Sequence, residues 1–163
     1  PNPWDNGGNM DFKDICAGNT LYLRAQREGG LLVLGDLHAA QGDGEILGLG
    51  AECAGEVTLR ITRDERWLPE RPMIEKPGSF VAIACRPDYR EARNLAARDA
   101  AKLVSRAAGV TEEEAYLFAT MVGDLRNGAV WALAGEESIE ECPWQADLPL
   151  VVGLEVPLPE PGD

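Results

Sequence analysis

The only histidine of the chain lies in a short glycine-rich segment that also carries three carboxylates. Residues 35–45 contain Asp36, His38, Asp43 and Glu45. Carboxylate oxygens and a neutral imidazole form a ligand set for a hard or borderline divalent metal, and glycines allow the backbone to turn these side chains toward one point. The segment therefore indicates a metal site. The alternative is a glycine-rich turn with a surface histidine and solvated acids, because a lone histidine is more often structural than a ligand.

Other chemistries find less support in the sequence. There is no Walker lysine and no strand-to-helix G-x-G-x-x-G motif, so a phosphate-binding loop is not indicated. The four cysteines contain no C-x-x-C pair, which excludes a zinc knuckle. We expect Cys16, Cys53 and Cys85 to be buried free thiols beside apolar segments, and Cys142 to be a free thiol as well. A cysteine nucleophile would have to recruit His38 from elsewhere in the fold.

Composition limits the kind of partner that the chain can bind. The sequence has 163 residues and a formal net charge of −13, so it lacks the basic surface that nucleic-acid binding requires. This length is typical of one domain with its own core. No apolar run approaches the roughly 20 residues of a membrane span, and the first residues lack the basic and apolar regions of a signal peptide. We expect a cytoplasmic chain with neither a nucleic-acid nor a membrane partner.

Alternation of apolar and polar residues predicts β-strands in the first half of the chain. The predicted strands cover residues 20–25, 31–34, 56–63 and 79–85. We expect the apolar run at 31–34 to be buried. Three prolines interrupt residues 64–78, which predicts an extended or edge segment because each proline removes a hydrogen-bond donor from the ladder.

Two amphipathic helices are predicted in the second half. Asp88 and Glu91 have the spacing of a capping box, and apolar residues then recur at helical intervals until Gly109. Thr111 and Glu114 begin a second helix in the same way. The predicted helices cover residues 88–108 and 112–122.

The strand pattern returns after the helices, at residues 130–133 and 148–156. The chain therefore predicts an α+β fold. We expect a β-sandwich-like set of antiparallel strands with two α-helices in the C-terminal half, and a single domain or part-domain over residues 1–163.

Several short motifs, in their order and spacing, resemble the acetamidase/formamidase family. They are GGNMD at 7–11, GNTLYL at 18–23, GDLHAAQGDGE at 35–45 and Glu52, followed by GDLR at 123–126. The resemblance covers roughly residues 5 to 130. It is to the C-terminal half of longer family members, whose N-terminal half adds a further histidine-bearing segment to the site. The resemblance therefore implies that a complementary N-terminal chain, a homo-oligomer or both complete the site.

The resemblance implies an amidase that hydrolyses short linear amides, of the formamide or acetamide type, to a carboxylate and ammonia. Zinc or calcium, held by His38 with Asp36 or Asp11, would activate the carbonyl and a water molecule. Glu45 is the first choice for the carboxylate that moves the proton, and Asp43 is the second.

Four further residues have weaker assignments. Asn9 has either a substrate-binding role or a place in an Asx turn. Glu52 is expected to orient the imidazole as a hydrogen-bond acceptor. Asp124 and Arg126 are expected to form a structural ion pair or a loop that ends the helix.

Two other functions compete with the amidase. One is a non-catalytic binding or regulatory module with the same fold, and the other is a cation-binding structural loop in an unrelated β-sandwich. Three acids and a histidine in one glycine-rich loop favour the amidase, because a module without a catalytic role does not need them together. The sequence leaves the acyl-chain specificity, the metal and the oligomeric state open.

Overall fold

The structure is a computed structural model that describes residues 2–64, 70–130 and 149–158. Its helices and strands are β1 (Thr20–Tyr22), β2 (Met73–Lys76), β3 (Ser79–Arg86), α1 (Tyr89–Ala108), α2 (Glu112–Val122), β4 (Asp124–Asn127) and β5 (Leu150–Pro157). The strands form one sheet in the order β1-β2-β3-β5-β4, and every neighbouring pair is antiparallel. The predicted α+β fold, with antiparallel strands and two helices in the C-terminal half, is confirmed. Neither described helix has the length and apolar character needed to span a bilayer.

Both helices begin and end at the predicted capping residues. The Asp88 side chain accepts a hydrogen bond of 2.7 Å from the backbone N–H of Glu91, and Gly109 closes α1 in the left-handed conformation with φ of 70°. At the start of α2, Thr111 and Glu114 form both halves of a capping box. These bonds satisfy backbone groups that a helix leaves unpaired at its ends. Local sequence therefore sets both helices.

The central strand β3 contributes side chains to two cores, one on each face of the sheet. Ala82 and Ala84 pack against the helices, whereas Val81 and Ile83 pack against Phe12 of the N-terminal segment. This division follows from the period-two alternation of a strand. The helices therefore cover one face of the sheet, and the N-terminal segment covers part of the other.

Two glycines allow the N-terminal segment to lie directly on the sheet. A Cβ atom at Gly153 would come within 2.7 Å of Phe12 Cζ, and one at Gly128 would lie 2.1 Å from the carbonyl oxygen of Met10. The backbone N–H of Ala129 donates to the same carbonyl at 3.0 Å. Close packing at Gly128 and at Gly153 of β5 thus holds the segment that carries Asp11.

Two predicted strands of the first half are wrong. Residues 31–34 and 56–63 form no strand, and the 31–34 run is not buried, since Leu31 is 72% exposed and Val33 is 89% exposed. Neither segment has a partner strand among the described residues, and an unpaired strand is not stable alone. The strand predicted at 20–25 is present but shorter, since β1 covers only Thr20–Tyr22.

The proline-containing segment is extended over part of its length, as one of its two predicted forms requires, but the predicted edge position is wrong. Its residues 73–76 form β2, which lies between β1 and β3 rather than at an edge. Pro72 and Pro77 flank the strand, so neither removes a donor from inside its ladder. Pro69 lies outside the described residues.

The remaining predictions have mixed outcomes. The strand at 79–85 is confirmed by β3, and the last predicted strand is confirmed by β5 within the described residues. Residues 124–127, interpreted as a loop, form β4. Residues 131–133 lie outside the described residues, and Val130 belongs to no strand.

The cysteines are free where the structure describes them, but only one of the three is buried. Cys85 lies in the core, whereas Cys16 and Cys53 are exposed, so the prediction of buried thiols is wrong for these two. The cause is that the apolar segments near Cys53 are themselves exposed. Cys142 lies outside the described residues.

Replacing Gly153 by alanine should destabilise the fold. The new methyl group would collide with Phe12 and with Val81, whose Cγ1 would lie 2.7 Å away. Overpacking of this kind costs about 1–3 kcal/mol of unfolding free energy. Urea unfolding measures the change, and Gly35→Ala is the control because its Cβ would meet no atom within 4 Å. Equal stability of the two variants would contradict the close packing described here.

Candidate functional site

A backbone pairing closes the loop that carries the histidine. The N–H of Ala39 donates to the carbonyl of Ala51 at 2.8 Å, and the N–H of Cys53 donates to the carbonyl of Leu37 at 2.9 Å. Residues 37–40 therefore run beside 51–53, and the chain between them returns to the imidazole. Gly50 lies directly behind the ring, since a Cβ there would be 2.6 Å from His38 Cγ.

Three carboxylates surround one nitrogen of the buried His38 ring. Nε2 lies 3.1 Å from Oε1 of Glu52, 3.5 Å from Oδ1 of Asp36 and 3.9 Å from Oε1 of Glu45. The sequence placed Asp36, His38 and Glu45 in one loop, and the structure brings them together with Glu52. The backbone pairing of the loop delivers Glu52 to the ring.

Gln41 determines which nitrogen of His38 carries the proton. Its Nε2 donates to the main-chain carbonyl of Asp11, so its Oε1 faces His38 Nδ1 at 2.9 Å. An amide oxygen only accepts, and Nδ1 must therefore donate. In the neutral imidazole the lone pair then lies on Nε2, toward the carboxylates. Sequence analysis did not identify Gln41, although its position three residues after His38 was the available signal.

Asp36, His38 and Glu52 form a cluster of acceptors that a cation would join. Each offers one ligand atom, and these atoms all lie within 4.8 Å of one another. Nε2 of His38 is buried and has no hydrogen-bond partner in the part of the chain that the structure describes. A buried polar atom without a partner is unfavourable. The three residues therefore fit a divalent metal, whose binding would satisfy this nitrogen.

A proton competes with a metal for the same nitrogen. The hydrogen bond with Gln41 raises the pKa of His38 above 6.5, and the negative charges of Glu52, Asp36 and Glu45 act in the same direction, while burial opposes them. Because the metal needs the neutral imidazole, lower pH should weaken metal binding.

Asp11 and Glu45 form a carboxylate pair beside the cluster. Glu45 is only 6% exposed. Burial, the charge of Glu45 and a hydrogen bond with Glu45 together raise the pKa of Asp11 to about 7; Asp36 adds to this increase and His38 reduces it. Asn9 donates a hydrogen bond of 2.5 Å to Asp11 Oδ2. The structure thus places Asp11 and Asn9 next to Glu45 rather than in the group of three possible ligands.

Asp43 points away from the histidine toward basic side chains. Nε of Arg126 lies 2.9 Å from its Oδ2, and Nζ of Lys13 lies 3.1 Å from its Oδ1. Burial acts to raise the pKa of Asp43, but the hydrogen bonds from Arg126 and Lys13 outweigh it and the pKa is lowered. Asp43 is therefore held as an anion, which makes it a poor acceptor for a proton in catalysis.

Arg126 connects the histidine loop to three other parts of the chain. It lies on β4 and forms ion pairs with Asp43 in the loop, with Glu155 on β5 and, at 3.4 Å, with Asp14 in the N-terminal segment. Lys76 on β2 extends the network to Asp14 and Glu155. The expected ion-pair role of Arg126 is thus present, but its partners are distant in sequence and Asp124 is not among those recorded.

The backbone of the site is strained. Among the described residues, four non-glycine residues have positive φ, and three of them are site carboxylates: Asp11 at 45°, Asp36 at 63° and Glu45 at 43°. This region is unfavourable for residues with a Cβ atom, more so for Glu than for Asp. Such strain persists only where surrounding contacts enforce it, and it concentrates at functional sites.

An open cavity of about 330 Å³ adjoins Glu45. Ile46, Leu47 and Leu49 form its apolar side, and Gln41 lies at its polar side. Cavities with mostly apolar walls and a few polar groups are typical of small-molecule sites. Glu45 lines the cavity and lies 3.9 Å from Nε2 of His38, so a small polar molecule bound in the cavity would lie near the carboxylate pair.

The fold and the site together define an α+β protein with a candidate divalent-metal centre. Its sequence matches the acetamidase/formamidase family over residues 1–123, and the chain belongs to this family. The resemblance noted from the sequence is therefore confirmed.

Named relatives show the same relationship. The chain is 43% identical over 60 residues to the formamidase of Methylophilus methylotrophus, covering 36% of this chain and 15% of that protein. It is 33% identical over 140 residues to the acetamidase of Mycolicibacterium smegmatis, covering 71% of this chain and 34% of that protein.

Two solved structures share the fold. The acetamidase of Bacillus halodurans superposes with a TM-score of 0.80 at 31% identity, covering 96% of this chain and 48% of that chain. The acetamidase of Yersinia enterocolitica gives a TM-score of 0.76 at 27% identity, covering 95% and 42% respectively. The chain therefore spans less than half the length of each of these relatives.

Loss of the Arg126 guanidinium should destabilise the protein. In Arg126→Gln, Asp43, Glu155 and Asp14 lose a shared cation while remaining largely buried. We expect a loss of about 3 kcal/mol, at the lower end for breaking a buried ion pair because Arg126 is partly exposed. Urea unfolding measures it, with Arg93→Gln as the control, since Arg93 is exposed and bonds only to Asn94 among the recorded side-chain contacts. A change as small as that of the control would show that the network does not hold the loop.

The metal-free protein should become more stable as the pH falls from 8 to 5. Because the pKa of Asp11 is about 7 in the folded chain and 3.8 as a model value, the folded state binds the extra proton in this range, and His38 acts in the same direction. Below about pH 4 the trend should reverse. The pKa values of Asp43 and Glu155 are lowered in the folded state, so protonation of these carboxylates removes the stability that their ion pairs contribute.

Urea midpoints measured in EDTA across this pH range test the expectation. Asp11→Asn should flatten the dependence between pH 4 and 7, whereas Asp124→Asn, an exposed position on β4, should not. An Asp11→Asn protein with the full pH dependence would contradict the carboxylate pairing.

Proposed function

We propose that this chain forms part of a metal-assisted amidase that hydrolyses short linear amides, of the formamide or acetamide type, to a carboxylate and ammonia. The observation that carries the proposal is the buried Nε2 of His38, which lacks a hydrogen-bond partner among the described residues and faces three carboxylates, one of which, Glu45, lines an open cavity. The names of the relatives, formamidase and acetamidase, support this substrate class.

Asp36, His38 and Glu52 would hold the metal. Two carboxylates and one imidazole suit zinc or calcium. When bound, the metal would polarise the amide carbonyl and lower the pKa of a water molecule. Gln41 keeps the proton on Nδ1 of His38, so Nε2 presents its lone pair to the cluster. Asp11 is not one of the three residues whose ligand atoms lie together, so Glu52 is proposed as a ligand in its place.

Glu45 is the proposed base. It is buried, its Oε1 lies 3.9 Å from His38 Nε2, and it is hydrogen-bonded to Asp11. It would take a proton from water and return it to the leaving ammonia, and a second carboxylate at hydrogen-bond distance provides a place for that proton between the two steps. Asn9 positions Asp11. Asp43, paired with Arg126, anchors the loop instead of moving protons.

The cavity would bind the acyl group of the amide. Its apolar side, formed by Ile46, Leu47 and Leu49, suits a hydrogen atom or a short alkyl chain better than a charged group. Its polar side lies next to Glu45, where the carbonyl and the amine must be placed. This arrangement supports short uncharged amides as substrates.

A complementary polypeptide would complete the site. The ligand carboxylates Asp36 and Glu52 are each more than half exposed, and the chain matches only 48% of the length of the Bacillus halodurans acetamidase. The proposed partner is therefore a polypeptide equivalent to the part of such relatives that this chain does not match, whether it lies on the same chain or on another. A homo-oligomer would be a further level of assembly. The free thiols of Cys16 and Cys53 fit a reducing cytoplasm.

Two substitutions separate the metal from the base. His38→Ala removes a ligand, so metal content and turnover should fall together. Glu45→Gln keeps the shape of the side chain and removes the base, so metal should remain while turnover falls by about 10²- to 10⁴-fold. Metal content is measured by elemental analysis of the chain alone, and ammonia release from formamide and acetamide is measured after co-expression with the unmatched half of the Bacillus halodurans acetamidase.

The exposed Glu113→Gln on α2 is the control and should change neither quantity. If His38→Ala leaves metal content and turnover unchanged, the loop is a structural turn. If Glu45→Gln loses the metal, Glu45 is a ligand instead of the base. If Glu45→Gln keeps full turnover, Glu45 is not the base. If the metal binds but the unsubstituted chain and the co-expressed half hydrolyse no amide, a non-catalytic module with this fold is the better assignment.

A further inference from the structure

Two segments on either side of the histidine loop expose large apolar side chains. The four consecutive residues 31–34 are all exposed, with Val33 at 89%. In the second segment Val57, Leu59 and Ile61 are exposed, with Ile61 at 74%. Single exposed apolar residues are ordinary, but runs of this length are typical of surfaces that another polypeptide covers.

The same segments have the sequence pattern of strands without a strand partner. Residues 56–63 alternate in period two, and residues 31–34 form a continuous apolar run. Within the described residues, the main-chain groups of 32–34 and 56–61 make no recorded hydrogen bond to other main-chain groups. Unpaired N–H and C=O groups next to apolar side chains are the features to which an added strand binds.

We propose that residues 31–34 and 56–61 form a docking surface that pairs, by strand addition, with the polypeptide equivalent to the unmatched half of the solved relatives. The two solved acetamidases match 96% and 95% of the present chain. The matched part is 48% of the length of the first relative and 42% of the length of the second. Their remaining length is therefore a protein neighbour of this fold. A second copy of the chain is the weaker candidate, since a formal charge of −13 on each copy opposes self-association.

Docking at this surface would order the metal ligands. Residues 31–34 lead directly into Asp36, and residues 56–61 follow Glu52 by a few positions. Both carboxylates are exposed, so pairing of the adjoining segments would restrict their side chains next to His38. This inference rests on the proposed function where it assigns a complementary polypeptide to the site, and it identifies the surface that receives it.

Lysine substitutions test the surface by placing a charge within it. The chain is co-expressed with the tagged unmatched half of the Bacillus halodurans acetamidase, and the complex is measured by light scattering after gel filtration. We expect a 1:1 complex that Val33→Lys and Ile61→Lys each weaken by at least about tenfold. Met121→Lys is the matched control, because Met121 on α2 is also 74% exposed and lies outside the surface. The proposal would be overturned if all three substitutions weakened the complex equally, or if none of them weakened it.

Hydrogen exchange gives a second measurement that does not require the separate half to be soluble. A single chimeric chain, in which the present sequence replaces the matched half of the same acetamidase, should show slow exchange at 31–34 and 56–61, whereas the chain alone should exchange rapidly there. Fast exchange in the chimera, or protection in a homodimer of the chain alone, would overturn the assignment of the partner. Neither measurement uses metal or amide. A complex that forms without hydrolysing amides would therefore refute the proposed function and leave the docking surface intact.

Discussion

The ion pairs of Arg126 hold the histidine loop on the sheet. The loop spans residues 35–53 and contains no described strand. Main-chain hydrogen bonds attach it to the sheet at one point, where Gly44 bonds to Asn127 and Val130, and the side chain of Asp43 beside it adds the ion pairs. The guanidinium joins Asp43 of this loop to Glu155 of β5 and Asp14 of the N-terminal segment. Isolated surface ion pairs contribute little, but a partly buried network can stabilise more than its pairs taken singly. The geometry around His38 therefore depends on an arginine whose partners lie in three distant parts of the chain.

With the loop held in place, the site concentrates negative charge around one imidazole. Asp36, Glu45 and Glu52 face the same nitrogen, and Asp11 pairs with Glu45 behind them. Like charges this close are unfavourable unless protons or cations neutralise them. The positive φ values of three of these carboxylates show the same cost in the backbone. The cation and the proton transfer proposed for this site would offset these costs.

The exposed apolar segments adjoin the cluster of Asp36, His38 and Glu52 in the sequence. The helices and β3 contribute to one buried core, whereas the segments before and after the histidine loop expose runs of apolar side chains. Relatives that contain the same fold are about twice as long. Burial of apolar residues at 31–34 and 56–61 by the additional polypeptide would supply free energy of association and order Asp36 and Glu52 at the same time. Under this proposal, assembly would be coupled to the formation of the site.

The sequence by itself determined the features that depend on short-range interactions. The capping residues Asp88 and Thr111 predicted both helices because a capping bond spans only three residues, and the loop motif around His38, together with the other short motifs, identified the family. The antiparallel α+β fold followed from periodicity. Tertiary structure decided the rest: the exposure of 31–34, the strand at 124–127, the partner of Asp43 and the pairing of Asp11 with Glu45. These features depend on which distant segments meet, and neither periodicity nor capping records that, because alternation shows that a strand has two different faces but not which neighbour covers them.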